Sequence, residues 1–245
     1  MRSSTPGTAH CLRRSIATEW GRSRGLIRDH HQRAVDGIER WLAEESWRII
    51  TVSQFMSQQL REVFHIPEHK IDVIHNAVQP PAIQLSSEER ATMRRLYATD
   101  GERIVFTVGR MVYEKGFQIL IEAIPRVLAA APNTRFIIAG TGDLRPLLEQ
   151  RAHELDVAGH IRFTGFISDA ERDRIYQIAD VAVFPSLYEP FGIVALEAMA
   201  ARCPVVVSQT GGLQEVVSLH ETGITVYPDN PDSACLGHSP YAPTS

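Results

Sequence analysis

The sequence predicts an α/β fold whose centre is a doubly wound, parallel, Rossmann-like sheet. Two observations lead to this prediction. Short runs of Val, Ile and Phe alternate with helical segments from residue 104 to residue 226, as in successive βα units. The runs are apolar along their whole length, which is typical of parallel strands that are buried on both faces. Right-handed crossovers between such strands place helices on both sides of the sheet.

The chain before this alternating part predicts a smaller group of elements. They are a helix over residues 26–46, a strand over 47–53, a helix over 54–64 and a strand over 70–75. Pro67 follows the second helix, where a proline is expected. The Pro-Pro pair within residues 76–84 interrupts the pattern and marks a linker.

The alternating part yields six strands and five helices. The strands are predicted at residues 104–109, 135–140, 160–165, 180–186, 204–209 and 222–226. The helices are predicted at residues 115–130, 143–155, 168–178, 191–201 and 212–219. In sheets of this type, ligands bind beyond the carboxyl ends of the strands. Functional residues are therefore expected directly after each strand.

These elements imply two domains of unequal completeness, with irregular ends. The predicted divisions are residues 1–16, a disordered or aberrant start; 17–78, the remnant of a first Rossmann-like domain; 79–85, a linker; 84–232, a nearly complete second domain; and 233–245, an aberrant tail. We expect both ends to be products of a frameshift or of a gene fragment.

Composition excludes several classes of protein. The formal charge of −4 argues against a dedicated nucleic-acid binder, which would carry a basic face. Residues 1–40 hold eight arginines against four acids, so a solvated face is favoured there over weak contact with an acidic membrane surface. The sequence suggests neither a signal peptide nor a membrane-spanning segment.

The cysteine and histidine pattern predicts neither a disulfide framework nor a metal site. The three cysteines lie far apart, as reduced thiols of a cytoplasmic protein would. His65 and His69 are four positions apart, but Pro67 between them breaks the helix that a metal site would need. No metal and no cofactor are expected.

Two cations follow the first strand of the alternating part. Arg110 comes directly after Gly109, and Lys115 closes the same loop. Arginine offers a fork that matches phosphate oxygens, and lysine offers a compact positive charge. Taken alone, the loop would be interpreted as solvated, but acids at another strand end of the same sheet favour a diphosphate site.

Two carboxylates eight positions apart follow the fourth strand. Glu189 lies just before a predicted helix and Glu197 lies inside it, in an apolar setting that predicts burial. An ionised Glu197 needs a partner there, and hydroxyls suit a carboxylate because it accepts hydrogen bonds on both oxygens. Hydroxyls and phosphates in one ligand indicate a nucleotide-sugar.

The remaining strand ends carry weaker signals. Gly140 opens a Gly-Thr-Gly turn that serves either a ligand or tight packing, and Asp143 is the expected N-cap of the next helix. Phe166 either faces a nucleobase or is buried, the commoner outcome, while Ser168 is a helix cap. Glu215 is expected to be solvated or capping.

The pattern does not favour other enzyme classes. The Gly-Thr-Gly turn does not continue into GxGxxG, which lowers the case for a Rossmann oxidoreductase. Ser186 lacks the GxSxG elbow of hydrolases, and no cysteine has an adjacent histidine.

Together these segments resemble family 4 of the retaining glycosyltransferases, which have the two-domain GT-B fold. The similarity rests on four segments: VGRMVYEKG (108–116), AGTGDLRPLLE (139–149), EPFGIVALEAMA (189–200) and VSQTGGLQEVV (207–217). Segment 17–25 resembles a segment of bacterial glycogen-synthase-like members, and segments 50–60 and 70–78 resemble the end of the family's first domain. The spaced glutamates together with GR…EKG are specific to the family, whereas the glycine turns are not.

The resemblance implies a transfer of a hexose from a UDP-, ADP- or GDP-linked sugar to a carbohydrate or lipid acceptor, with retention of configuration. It implies that Arg110 and Lys115 bind the donor diphosphate, that Glu189 faces the transferred sugar, and that Glu197 holds the ribose. The backbone of Phe191, Gly192 and Ile193 would cradle the sugar and phosphate, and the predicted donor site also includes Gly140 and Phe166.

The sequence also departs from the family. Ile16 stands where the family places a histidine, and His75-Asn76-Ala77-Val78 replaces Pro-Asn-Gly-Val. The first domain normally begins well upstream, and the family ends in long helices that we do not find. The alternative function is therefore a catalytically inactive fragment that binds nucleotide, since half an acceptor site cannot position an attacking hydroxyl.

Overall fold

The computed structural model describes residue 41, residues 45–231 and residue 233. The predictions for residues 1–16, for most of the helix over 26–46 and for the tail from 234 lie outside this part. The described chain falls into two compact units. The first takes residues up to Ile49 together with Leu60–Ile71, and the second takes Ile50–Gln59 and the residues from Asp72 on.

The elements of the early chain are shorter than predicted. They are strand β1 (Ile49–Thr51), helix α1 (Gln54–Val63) and strand β2 (Ile71–Val73), and the two strands pair in a small sheet. Within the first unit, Arg48 donates a 3.0 Å hydrogen bond to the carbonyl of His69, and Ile66 is buried.

The second unit contains a six-stranded sheet. Its strands are β3 (Arg103–Val108), β4 (Thr134–Ala139), β5 (Ile161–Gly165), β6 (Val181–Phe184), β7 (Val205–Ser208) and β8 (Ile224–Val226). Every neighbouring pair is parallel, and the strand order is β5-β4-β3-β6-β7-β8. The predicted strands and the doubly wound topology are thus confirmed; β3 and β4 begin and end one residue earlier than predicted, and the other four strands are shorter.

Helices cover both faces of this sheet. They are α2 (Ser87–Tyr97), α3 (Phe117–Ala130), α4 (Arg145–Glu154), α5 (Asp169–Ile178), α6 (Ile193–Ala200) and α7 (Leu213–Val216). Ile104 and Phe106 of β3 belong to the core on the α5 and α6 side, while Val105 belongs to the core with α3 and α4. This alternation along one strand is that of a sheet buried on both faces.

Helix α2 was not predicted, although its start carries a clear signal. Ser86 accepts a hydrogen bond from the backbone N–H of Glu89, and the Glu89 carboxylate accepts one from Ser86 in return. This reciprocal pair is a capping box. Met93 and Tyr97 are the side chains of this helix that pack against the apolar core, and Leu96 is 66% exposed, so the apolar side is narrow and its period is hard to detect.

Two cap predictions have different outcomes. Ser168 caps α5 by accepting a hydrogen bond from the backbone N–H of Glu171, as expected. The prediction for Asp143 is wrong, because the N-cap of α4 is Leu144 and no side chain caps it. The chain closes this end with backbone bonds instead, since the amide of Arg145 donates to the carbonyl of Gly142.

Candidate functional site

The carboxyl ends of β3 and β6 form the point where the strand order reverses. From β3 the chain continues to β4 on one side, and from β6 it continues to β7 on the other side. In open α/β sheets, the ligand crevice lies between the two loops at such a point. The two loops are joined by their backbones, because the amides of Leu187 and Tyr188 both donate to the carbonyl of Glu114. The crevice is therefore lined by the loop carrying Arg110 and Lys115 and by the loop carrying Glu189.

Lys115 and Glu189 meet in this crevice. The Lys115 ammonium donates a 2.7 Å hydrogen bond to Oε2 of Glu189. Ser186 donates to the same oxygen at 3.2 Å. The Glu189 side chain is only 8% exposed, so this carboxylate is held in place by a cation and a hydroxyl. The two residues that the sequence assigned to different parts of a ligand are thus bonded to each other.

Arg110 differs from Lys115 in its surroundings. It is exposed at the end of the β3 segment and forms no salt bridge with any residue that the structure describes. An arginine in this condition retains all five N–H donors for an anion. Arg110 and Lys115 therefore place positive charge on one side of the crevice.

Glu197 lies on α6 and pairs with a residue of α5. Its Oε1 is 3.3 Å from the Arg172 guanidinium, while its Oε2 is buried and has no hydrogen-bond partner among the described residues. Burial raises the pKa of the Glu197 carboxyl, Arg172 opposes the rise, and the carboxylates of Asp173 and Asp169 add to it. The partner that the sequence required for Glu197 is Arg172.

Helix α6 is buried on one side only. Ala195 and Ala198 face the core, whereas Ile193 is 40% exposed. The predicted burial therefore holds for Glu197, whose side chain is 17% exposed, but not for Ile193. The reason is the layered fold, in which a helix on one face of a sheet turns only one stripe toward it.

Two predicted glycines have positive φ angles and close neighbours, which are backbone atoms at Gly140 and a side chain at Gly192. Gly140 has a φ of 121°, and a Cβ there would lie 1.9 Å from the carbonyl oxygen of Gly109. Gly192 has a φ of 97°, and its Cβ would lie 2.4 Å from the Leu213 side chain. Gly140 thus serves the packing of two strand ends, the interpretation that its sequence had left open beside a ligand role.

The two predicted aromatic positions have opposite surroundings. Phe166 follows β5 and is 82% exposed, so the commoner expectation of a buried ring is wrong. Phe191 is buried, and its ring centroid lies 5.8 Å from that of His75. Phe166 therefore offers an open aromatic surface, while Phe191 packs within the unit.

Arg172 was not predicted as a site residue, whereas Glu215 has the capping role that was one of its two predicted alternatives. The Glu215 carboxylate accepts hydrogen bonds from the amides of Gln54 and Phe55, at 2.8 and 2.7 Å. It is thus a capping residue, but of α1 rather than of its own helix. Both contacts join residues far apart in sequence, so no local pattern could have shown them.

The described residues contain no group of three His, Cys, Asp or Glu side chains that could hold a metal ion. None of their helices has the length and apolar character needed to cross a bilayer.

Comparison with known families identifies the family to which this chain belongs. A family model described as Glycosyl transferases group 1 matches residues 89–235, more than half of the chain. The chain belongs to this family. A second model, described as Glycosyltransferase Family 4, matches residues 7–80.

Curated relatives of this group 1 glycosyl transferase are longer proteins. An uncharacterized glycosyltransferase of Methanocaldococcus jannaschii is 43% identical over 224 residues, which are 90% of this chain and 57% of that protein. A glycogen synthase of Mycobacterium tuberculosis is 37% identical over 212 residues, 86% of this chain and 49% of that protein. The chain thus spans about half the length of the curated relatives it matches.

Solved structures share the fold. A sucrose-phosphate synthase from Thermosynechococcus elongatus has a TM-score of 0.71 and 29% identity, over 81% of this chain and 49% of that one. Anabaena HepE, solved in complex with UDP and glucose, has a TM-score of 0.73 and 23% identity, over 79% of this chain and 53% of that one. The predicted GT-B type of α/β fold is confirmed.

Proposed function

We propose that this group 1 glycosyl transferase moves a hexose from a UDP-, ADP- or GDP-linked sugar to a carbohydrate or lipid acceptor, with retention of configuration. The observation that carries the proposal is the contact between Lys115 and Glu189, a cation suited to phosphate beside an acid suited to hydroxyls, at the switch point of the sheet. The names of two relatives, glycogen synthase and sucrose-phosphate synthase, agree with a carbohydrate acceptor.

Arg110 and Lys115 would bind the diphosphate. Arg110 is exposed and unpaired with described residues, so binding a phosphate breaks no existing salt bridge of its side chain. Lys115 already contacts Glu189, and its three N–H donors allow a phosphate oxygen as a second acceptor. Their charge would stabilise the departing nucleoside diphosphate, where negative charge develops in the transition state.

Glu189 and Glu197 would bind the sugars on either side of the diphosphate. Glu189 is fixed by Lys115 and Ser186 through a single oxygen, Oε2, which leaves Oε1 for a hydroxyl of the transferred hexose. Glu197 has a buried, unpartnered oxygen for the ribose. The acceptor hydroxyl would attack from the face that the leaving group vacates, which retains the configuration.

Phe166 and the glycine turns complete the proposed donor site. The exposed ring of Phe166 suits stacking on a nucleobase. The amides near Gly192 begin α6, and Ile193 stands at its exposed first position, where a phosphate or sugar oxygen can approach. Gly140 would contribute by letting the loops after β3 and β4 pack closely.

A transfer assay tests the proposal. The purified chain is incubated with UDP-, ADP- and GDP-linked glucose and a panel of oligosaccharides, and free nucleoside diphosphate is measured. Release that depends on the acceptor supports the proposal, and Glu189→Gln should abolish it while sparing nucleotide binding. Normal transfer by Glu189→Gln would contradict the role of this acid.

A second candidate function is nucleotide binding without turnover. It is favoured by the observation that all the proposed donor residues lie in the second unit. Tight binding of a nucleoside diphosphate together with absence of both transfer and hydrolysis would support this alternative.

A further inference from the structure

Arg172 is the centre of a charged cluster between α5 and α6. Its guanidinium donates to Asp169 at 2.9 Å and to Asp173 at 3.0 Å, both on its own helix, and lies 3.3 Å from Oε1 of Glu197. The Arg172 side chain is 19% exposed and that of Glu197 is 17% exposed. The pair of Arg172 and Glu197 is therefore largely shielded from water, where a charge pair counts more than at the surface, whereas the Asp169 side chain is 88% exposed.

The two carboxylate oxygens of Glu197 have different surroundings, because Arg172 contacts Oε1 and not Oε2. Oε1 is taken by the guanidinium, whereas Oε2 is buried without a partner among the described residues. A buried oxygen without a partner costs free energy, unless a ligand supplies the missing hydrogen bond. Hydrogen bonds to Asp169 and Asp173 hold the planar Arg172 guanidinium in one orientation. The guanidinium therefore also limits where the Glu197 carboxylate can lie.

The two helices are joined by a further contact. The hydroxyl of the buried Tyr176, on α5, donates to the carbonyl of Val194, on α6, at 3.2 Å. Because this bond does not involve charge, the packing of the helices does not depend on Arg172 alone. The Arg172 guanidinium can therefore orient the Glu197 carboxylate and stabilise its charge without being the sole contact between the two helices.

We propose that Arg172 is a positioning residue which holds Glu197 ionised and aims its Oε2 at the ribose, so that the site selects ribonucleotides over their deoxy forms. This inference rests on the proposed function, since it assumes that Glu197 binds ribose. Without Arg172, Glu197 faces the carboxylates of Asp173 and Asp169, and no other cation among the described residues offsets them. It would then take up a proton or turn away, and would lose its preference for hydroxyls.

Calorimetry on the whole chain tests the inference. The probes are UDP, ADP and GDP, and the 2′,3′-dideoxy form of whichever binds most tightly. Wild type should bind the ribose form at least about tenfold more tightly, because hydrogen bonds to a charged group are lost in the dideoxy form. Arg172→Met should reduce this ratio to less than about threefold, and so should Glu197→Gln.

Two further variants separate positioning from a purely structural role. Arg151→Met is the matched control, because Arg151 also bonds two glutamates, Glu122 and Glu154, but none of the proposed site residues. It should leave the ratio unchanged. If Arg172→Met fails to fold, adding Asp173→Asn removes the excess negative charge, and this double variant should show the same loss of preference.

The outcomes distinguish this inference from the proposed function. A wild-type chain that binds none of the three diphosphates overturns the proposed function and this inference with it. If the wild type prefers the ribose form tenfold and the folded Arg172 variants keep that preference, this inference is overturned while the proposed function stands. Loss of the preference in Arg172→Met, with no further loss when Glu197→Gln is added, supports it.

Discussion

The Lys115 ammonium donates a 2.7 Å hydrogen bond to the Glu189 carboxylate across the loops that follow β3 and β6. The two residues are 74 positions apart in sequence and meet because their strands are neighbours in the sheet. The strand order reverses at this same place, so the contact marks the crevice where a ligand is expected. One residue of the pair suits phosphate and the other suits hydroxyls.

Replacing Lys115 should destabilise the fold. Lys115→Met leaves the buried Glu189 carboxylate with Ser186 as its side-chain partner, which we expect to cost about 2 kcal/mol of unfolding free energy or more. The double variant Lys115→Met/Glu189→Gln should recover most of that loss, because the unpaired charge is gone. Urea unfolding of the four proteins measures the coupling, and additive losses would argue against the pair.

Replacing Arg110 should weaken binding without affecting stability. Arg110→Ala removes an exposed side chain that forms no salt bridge with described residues, so the unfolding free energy should change by less than about 0.5 kcal/mol. Affinity for a nucleoside diphosphate should fall roughly tenfold, since a charge-assisted hydrogen bond is lost.

Arg103→Ala is the matched control for Arg110. Arg103 is also exposed and lies at the opposite end of β3. Calorimetry should give it the affinity of the wild type. An Arg110 variant with wild-type affinity would place the diphosphate elsewhere.

Phe166→Ala tests the site of the nucleobase. The ring is 82% exposed, so its removal should leave the melting temperature nearly unchanged. If a base stacks on it, binding of the nucleoside diphosphate should weaken by roughly 1–3 kcal/mol, while inorganic pyrophosphate should bind as before. Leu96→Ala, another exposed apolar position at 66%, serves as control.

The pKa of Glu197 makes stability depend on pH. Burial raises this pKa in the folded protein above the usual value of 4.5, so the folded state retains the proton where the unfolded state has lost it. This contribution to stability therefore falls as pH rises from about the usual carboxyl value through the raised one. The unfolding free energy of Glu197→Gln minus that of wild type should therefore increase with pH across this window. A difference that does not change with pH would contradict the raised pKa.

The sheet was predictable from the sequence because its strands are uniformly apolar. Runs such as IVFTVG and RFIIAG leave no polar face, which is possible only in a sheet covered on both sides. Several predicted ends extend one to three residues too far, for example at Gly109 and Gly140, which already belong to the loops after β3 and β4. Helix α2 was missed because its apolar side is narrow.

The partners of the site residues could not be predicted in the same way. Arg172 and Glu197 lie on different helices and meet only because α5 and α6 pack together. The contact between Lys115 and Glu189 depends on β3 being adjacent to β6, and apolar runs do not encode strand order. The sequence indicated which groups were chemically suited to a ligand, whereas the fold decides which of them touch. The domain boundaries and the roles of the donor-site residues remain predictions.

A crystal structure of this chain with the most tightly bound nucleoside diphosphate tests the central claim most directly. We expect phosphate oxygens within hydrogen-bond distance of Arg110 and Lys115, and a ribose hydroxyl bonded to Oε2 of Glu197. A nucleotide bound away from the crevice between β3 and β6, with Glu197 Oε2 still unpartnered, would contradict it.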